Sequence, residues 1–286
     1  MARNLRLSQA IKEQIQQTIE RPGLAAATAL LWLAAAVSDA TAANPDRVEA
    51  RFEVYGFAGL HVLTNRTTVE RSGDRYMIVT DLDTRGVASV FVNLTSHSYA
   101  SGRLGSEAPY PETYRAEVRR NGVERHYAVD FRRDGTFINA SAPASPAQAA
   151  SEWPKEIRGA VDQLTAYFLV EKQLTVRGTC ALVIPVFDGS AFYNLRSTDV
   201  KSETLSADDY QTFAGSSRVC EVVREDLALK PVRNEDTYQR GKIWYGRLVA
   251  GEMTPVRMEF TTAFGVVKAY LAELHGRGVH LRLTPK

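Results

Sequence analysis

The chain has 286 residues, 44% of them hydrophobic and 24% charged, which is ample material for a packed globular core. Its formal net charge is only +2, and its signs are interspersed, as in Arg115, Glu117, Arg119, Arg120 and Glu124. There is no one-signed field, which argues against nucleic acid or an acidic membrane surface as a partner, and no internal period that would make a solenoid or propeller.

Residues 1–42 read as an export signal. Arg3, Arg6, Lys12 and Arg21 form a basic leading region, and Pro22 interrupts any helix entering the next segment. Gly23 to Val37 is an uncharged apolar run, shorter than the roughly 20 residues that span a bilayer. The small residues Ala40-Thr41-Ala42 then form a cleavage site. The expected mature chain is one β-rich domain over residues 43–286, located in the periplasm. The alternative is an uncleaved amphipathic anchor at the inner membrane, because Leu7, Ile11, Ile15 and Ile19 recur at helical spacing. No later apolar run approaches spanning length, so no transmembrane segment is expected in the mature chain.

From Val48 the pattern has period two: Val48, Ala50, Phe52 and Val54 alternate with Glu49, Arg51 and Glu53, a strand with one wet face. A second strand is expected from about Leu60 to Val69, and Ser72-Gly73-Asp74 turns the chain into a third carrying Tyr76, Ile78, Thr80 and Leu82. Gly86 to Leu94 fits a short helix and a buried strand equally well, and a Gly- and Pro-containing loop is expected to follow it. YRAEVRR and ERHYAVDF are joined at Asn121-Gly122, a pair that tolerates the positive φ angles of a type I′ turn. Asp134-Gly135 turns again into TFINA, completing a three-stranded meander.

Ser141 to Pro154 is rich in Ala, Ser and Pro and is expected to form a surface loop. It leads to the one convincing helix, capped by Asp162, striped by Leu164, Phe168 and Leu174, and ended by Gly178. Strands then resume: Ala181 to Phe187, Ser190 to Arg196, Arg218 to Leu227, and three more in KIWYGRLV, TPVRMEFTTAF and VVKAYLAEL. About a dozen strands with a single helix disfavour a parallel α/β sheet, and an open twisted sheet rarely exceeds about ten strands without curling. The expected fold is mainly β: a curled or spiral antiparallel sheet, a roll or open barrel, plugged or flanked by one α-helix.

The chain's two cysteines, Cys180 and Cys220, bracket the hairpin that turns at Phe187, Asp188 and Gly189. In an exported chain they are expected to pair as a disulfide; two buried free thiols are the competing reading. Asp188 is foremost a turn residue whose carboxylate bonds nearby backbone N–H groups, and only secondarily a candidate general base. Phe192, Tyr193, Trp244 and Tyr245 are candidates for a ligand groove, with burial in the core as the plainer reading.

RFEVYGFAGL, the meander, the helix opening VDQLTAYFL, the C…PVFDG…FYNL stretch with its second cysteine, and the terminal MTPVRMEFTTAFGVVKAYL together resemble the family named domain of unknown function 3108. The resemblance runs from Val48 to about Leu274, with PVFDG its most specific part. Ser190-Ala191 departs from the basic pair expected after FDG, and Gln163 from the proline expected after Asp162. The resemblance implies an exported envelope protein with a β-rich fold and supplies no reaction.

There is no G-x-S-x-G elbow, phosphate-binding loop or H-E-x-x-H, so no catalytic residue, metal site or cofactor is assigned. His275 and His280 are separated by Gly276 and Gly278, which favours a loop without fixed metal geometry. The expected function is a non-enzymatic envelope protein holding lipid, another apolar ligand or an envelope protein on a curled sheet. The alternative is a hydrolase of envelope polymers working through a carboxylate pair.

Overall fold

A computed structural model of the chain describes residues 46–283, apart from 57–58, 87–88, 90–92, 107, 142–157, 190, 228–239 and 263–264. Expectations for the export segment and the Ala/Ser/Pro-rich loop, and most of the Gly86–Leu94 question, lie outside these residues. The first seven strands are β1 Asp46–Tyr55, β2 His61–Ser72, β3 Arg75–Thr84, β4 Leu94–Leu104, β5 Pro109–Arg120, β6 Val123–Phe131 and β7 Phe137–Ser141. Helix α1, Gln163–Arg177, follows. Then come β8 Leu182–Phe187, β9 Phe192–Leu205, β10 Gly215–Asp226, β11 Arg240–Arg247, a 3-10 turn at Val249–Gly251, β12 Met253–Thr262, β13 Gly265–Gly276 and β14 Val279–Arg282.

All neighbouring strands are antiparallel and belong to one sheet, in the order β7-β6-β5-β4-β3-β2-β1-β13-β12-β11-β10-β9-β8, with β14 paired to β13. Two up-and-down meanders, β1 to β7 and β8 to β13, are therefore joined in the middle by the pairing of β1 with β13. The sheet is curled but not closed into a barrel. Its two edges, β7 and β8, are consecutive in the chain, and the connection between them carries α1.

That connection bridges the seam. Gly159 N–H donates to the Asp134 carbonyl in the β6–β7 turn at 2.9 Å. Val161 pairs in parallel with Val186 of β8, and its backbone exchanges bonds with Pro185 and Phe187, each 2.9 Å. The helix then packs on both halves of the roll. Its Ala166, Val170 and Leu174, spaced four apart, enter a core with Ile184, Val186, Leu195, Val222 and Ile243. Phe168, on another face, joins Tyr76, Ile78, Ala100, Tyr114 and Val129, and Phe187 comes from β8 into the same cluster. A helix enclosed on several sides is apolar on several sides, so it carries no single clean stripe.

Local chemistry agrees with these positions. Asn121 and Gly122 have φ of 49° and 81°, as the turn between β5 and β6 requires. Asp162 caps α1 by accepting from Thr165 N–H at 2.9 Å, and Gly178 ends the helix at φ 70°. The second Asp162 oxygen accepts from the Thr165 hydroxyl at 2.6 Å, and that hydroxyl also bonds the Tyr76 hydroxyl at 2.8 Å, pinning α1 to β3.

Three expectations are corrected. The Gly- and Pro-containing stretch before YRAEVRR is not a loop throughout; it holds β4, Leu94–Leu104, paired on both sides with β3 and β5. The strand after the Asp188-Gly189 turn does not stop at Arg196; β9 runs to Leu205, its exposed and charged second half held by backbone pairing with β10. His275 and His280 do not lie in an unstructured loop. They face each other across the β13–β14 hairpin, with Nδ1 atoms 2.6 Å apart, because Arg277 and Gly278 take up the positive φ angles of a two-residue turn.

Cys180 and Cys220 are bonded, with Cα atoms 6.3 Å apart, and both are fully buried. The bridge ties the exit of α1 to β10, across β9. It closes a separation of 40 residues, which in the chain-entropy model corresponds to about 4 kcal/mol. Reduction, or Cys220→Ser, is expected to lower the unfolding midpoint by an amount equivalent to several kcal/mol, read from denaturant titrations with and without reductant.

Asp162 gives a second prediction. Burial pushes its carboxyl up from 3.8 to about 6, against the pull of the Thr165 bonds. The folded chain therefore holds a proton that the unfolded chain releases, so its contribution to stability falls as pH rises from about 4 to about 6, by about 3 kcal/mol. Asp162→Asn, which keeps an acceptor for Thr165 N–H, should itself lack that slope, so the stability difference between variant and parent should change by about 3 kcal/mol between about pH 4 and about pH 6. Asp162→Ala should in addition lose the cap, about 1 kcal/mol.

Candidate functional site

The roll does not collapse fully onto the helix. It leaves a cavity of about 490 Å³, within the size range of small-molecule sites. Inward-facing positions of β1 repeat every second residue along its wall: Val48, Ala50, Phe52 and Val54. Met258, Phe260, Val267 and Ala269 extend this apolar surface onto β12 and β13. The adjoining strands β2, β3 and β4 add Asn65, Thr67, Thr80, Ser96 and Ser98 beside the apolar Leu63, Val69, Ile78 and Leu82. Several of these polar groups are mutually satisfied: the Thr67 hydroxyl bonds Asn65 Oδ1 at 3.0 Å and the Thr80 hydroxyl at 3.2 Å.

Helix α1 supplies the remaining wall through Gln163, Leu164, Tyr167, Phe168 and Glu171, which lie on one helical face. Beside its second half a side cleft of about 80 Å³ adjoins the cavity; Arg71, Phe168, Glu171, Glu252 and Met253 line both. Here the charges gather. Arg71, at the end of β2, forks onto Glu252, with its Nη1 2.8 Å and its Nη2 2.5 Å from the two carboxylate oxygens. Arg277 donates to the same Glu252 at 2.7 Å and also pairs with Asp46. Both oxygens of Glu252 are thus occupied by guanidinium groups.

Glu171 is different. Its accessible surface lies in the cavity and cleft, and among the described residues its carboxyl has no hydrogen-bond partner. Burial pushes it up to about 8; Arg71 pulls it down and Glu252 pushes it further up. Two other cavity-lining residues have unmet polar atoms: among the described residues, the buried Arg71 Nε and the Tyr167 hydroxyl have no hydrogen-bond partner. Lys172, in the cleft, forms no ion pair among the described residues and lies 5.8 Å from the Phe168 ring centre.

The residues singled out from the sequence fall in several places. Phe187 is fully buried, and Asp188 accepts from Ala191 N–H at 2.9 Å, with Gly189 at φ 82° completing the turn. Tyr193 and Tyr245 share a core cluster with the two cysteines, and Tyr245 also lines the cavity. Trp244 alternates to the other side of β11. There its Nε1 donates to Glu203 at 3.1 Å and the Arg257 guanidinium lies 4.6 Å over its ring. Phe192 is partly buried against the cluster that holds Phe187. Of the four aromatics proposed for a groove, Tyr245 is the one that lines the cavity.

Asp199 lies beside the disulfide but is held by Arg218 at 2.9 Å, and the two sulfurs, bonded to each other, offer no thiolate to a metal. Glu171 was not singled out from the sequence. It reads there as an ordinary polar position between Val170 and Lys172, and only the distant β2 and β12 ends make it unusual.

This is a rolled antiparallel sheet clasped by one helix around an apolar cavity. The chain belongs to the family described as protein of unknown function (DUF3108), whose pattern it matches over residues 51–272. Among solved structures it is similar to a beta-barrel-like protein of domain of unknown function DUF1849 from Brucella abortus. That match has 10% identity and a TM-score of 0.47, covering 82% of this chain and 99% of the other. No curated protein matches the chain. Among the described residues, no helix is long and apolar enough to cross a membrane.

The raised carboxyl of Glu171 has a measurable consequence. Its folded value of about 8 lies above the ordinary 4.5, so the folded chain retains a proton that the unfolded chain loses. Stability is therefore expected to fall as pH rises from about 4.5 to about 8. Glu171→Gln should stabilise the protein at alkaline pH and have little effect near pH 4, and carbon NMR of labelled glutamate should find one carboxyl titrating near 8.

Proposed function

We propose that this is a non-enzymatic protein of the cell envelope that holds an apolar ligand inside its rolled sheet, acting in the periplasm after removal of residues 1–42. The observation that carries the reading is the cavity of about 490 Å³ walled by alternating apolar residues of β1, β12 and β13. Fully buried side chains would close such a space if stability alone governed it, since unfilled apolar volume costs stability.

A second reading, hydrolysis through paired carboxylates, draws support from Glu171 and Glu252. Both line the cavity, and their protonation equilibria are pushed in opposite directions. Against it, the engagement of both Glu252 oxygens by Arg71 and Arg277 leaves that carboxylate poorly placed to attack a substrate or activate water.

Native mass spectrometry of protein purified from cells should find a bound apolar molecule. Ala50→Trp or Thr80→Trp, each adding a ring to the cavity wall, should weaken binding of a fluorescent apolar probe by about tenfold or more, as the loss of a few buried contacts implies. Failure of any apolar molecule or probe to bind would overturn the reading, and turnover in a panel of glycans and esters would favour the second.

A further inference from the structure

We infer that the cavity takes an amphiphile with a single acyl chain and an anionic head, its head seated against Arg71 and Lys172 and its chain along the apolar wall of β1, β12 and β13. This rests on the apolar-ligand reading above and adds the chemistry of the occupant.

Volume favours a single chain. A methylene fills roughly the space of a water molecule in the liquid, about 30 Å³, so the cavity accommodates about sixteen such groups. That is one long chain, and about half of what a two-chain lipid would bring.

The unmet polar groups set the position of the head. Asn65 Oδ1 and the hydroxyls of Thr67 and Thr80 bond one another. Among the described residues, four groups without a hydrogen-bond partner belong to residues lining these spaces: Arg71 Nε and the Glu171 carboxyl on both, the Tyr167 hydroxyl on the cavity and the Lys172 ammonium in the cleft. Three of these are donors at neutral pH whatever the state of Glu171, and a protonated Glu171 is a fourth. What is missing is an acceptor.

Charge sets the sign of the head. The groups around this end are Arg71 on β2, Lys172 on α1 and Arg277 in the β13–β14 turn, facing Glu252 before β12 and Asp46 on β1. With Glu171 neutral the balance is one positive charge in excess, so an anionic head neutralises the site and a cationic one does not. Ionisation of Glu171 cancels that excess and places a like charge beside the head, so binding should weaken in alkali.

The test uses the protein in its natural processed form, purified from cells and stripped of bound lipid. Four probes sharing one chain are titrated below their micelle concentrations: hexadecanoate, hexadecyl phosphate, hexadecanol and hexadecyltrimethylammonium. Near neutral pH the two anions should bind at least about tenfold more tightly than the alcohol, the scale of a charge-assisted hydrogen bond, and the cation more weakly. The tighter of the two anions identifies the head as carboxylate or phosphate. Lys172→Met should bring the hexadecanoate-to-hexadecanol ratio close to one. Raising the pH to about 9 should lower that ratio in the parent but not in Glu171→Gln.

Equal binding of alcohol and anions, or tighter binding of the cation, would overturn this inference while leaving the apolar-ligand reading intact. An unchanged ratio in Lys172→Met would overturn the placement of the head. If hexadecanol and the anions all fail to bind, the apolar-ligand reading itself falls.

Discussion

The structure depends on how a very long antiparallel sheet ends. Thirteen strands in one path leave two edges, each a row of unpaired backbone groups that would recruit further strands. Here the edges are consecutive in the chain, so the segment linking them can lie in the seam they leave. Residues 159–161 hydrogen-bond to the β6–β7 turn on one side and to β8 on the other, and α1 follows directly. The edges are thus partly covered without the sheet closing on itself.

The clasp imposes unusual demands on the helix. A surface helix buries one stripe, but α1 is enclosed, with Ala166, Val170 and Leu174 in one core, Phe168 in another, and Tyr167 and Glu171 on the cavity. Its N-terminus needs a capping acceptor in a place that water does not reach, which is why Asp162 is buried and titrates high. The Cys180–Cys220 bridge fixes the other end, immediately after the helix, to β10. Between those two fixed ends the helix holds the roll at a width that leaves space inside.

Polar groups within that space are of two kinds, and the difference bears on function. Arg71, Glu252, Arg277 and Asp46 form a continuous ion-pair chain linking β1, β2, the start of β12 and the β13–β14 turn, a structural arrangement that offsets its own desolvation. Glu171 and the Tyr167 hydroxyl remain outside any such arrangement. Buried polar atoms left without a partner, as Arg71 Nε and the Tyr167 hydroxyl are among the described residues, are a pattern expected where a protein meets a ligand.

Much of this was legible in the amino-acid sequence. Period-two alternation marked β1 to β3, Asn121-Gly122 marked a hairpin, and Asp162 and Gly178 marked the ends of α1, because each signal acts within a few residues. The pairing of two cysteines and the curling of so many strands followed from counting. Strand β4, the second half of β9 and the β13–β14 hairpin were missed because their residues are polar, charged or glycine-rich, and only backbone pairing with a neighbour makes them strands. The pairing of β1 with β13, more than two hundred residues apart, was decided by tertiary structure, as were the cavity it walls and the isolation of Glu171. Burial and distance between remote segments are properties of the packed chain, and no local pattern of residues encodes them.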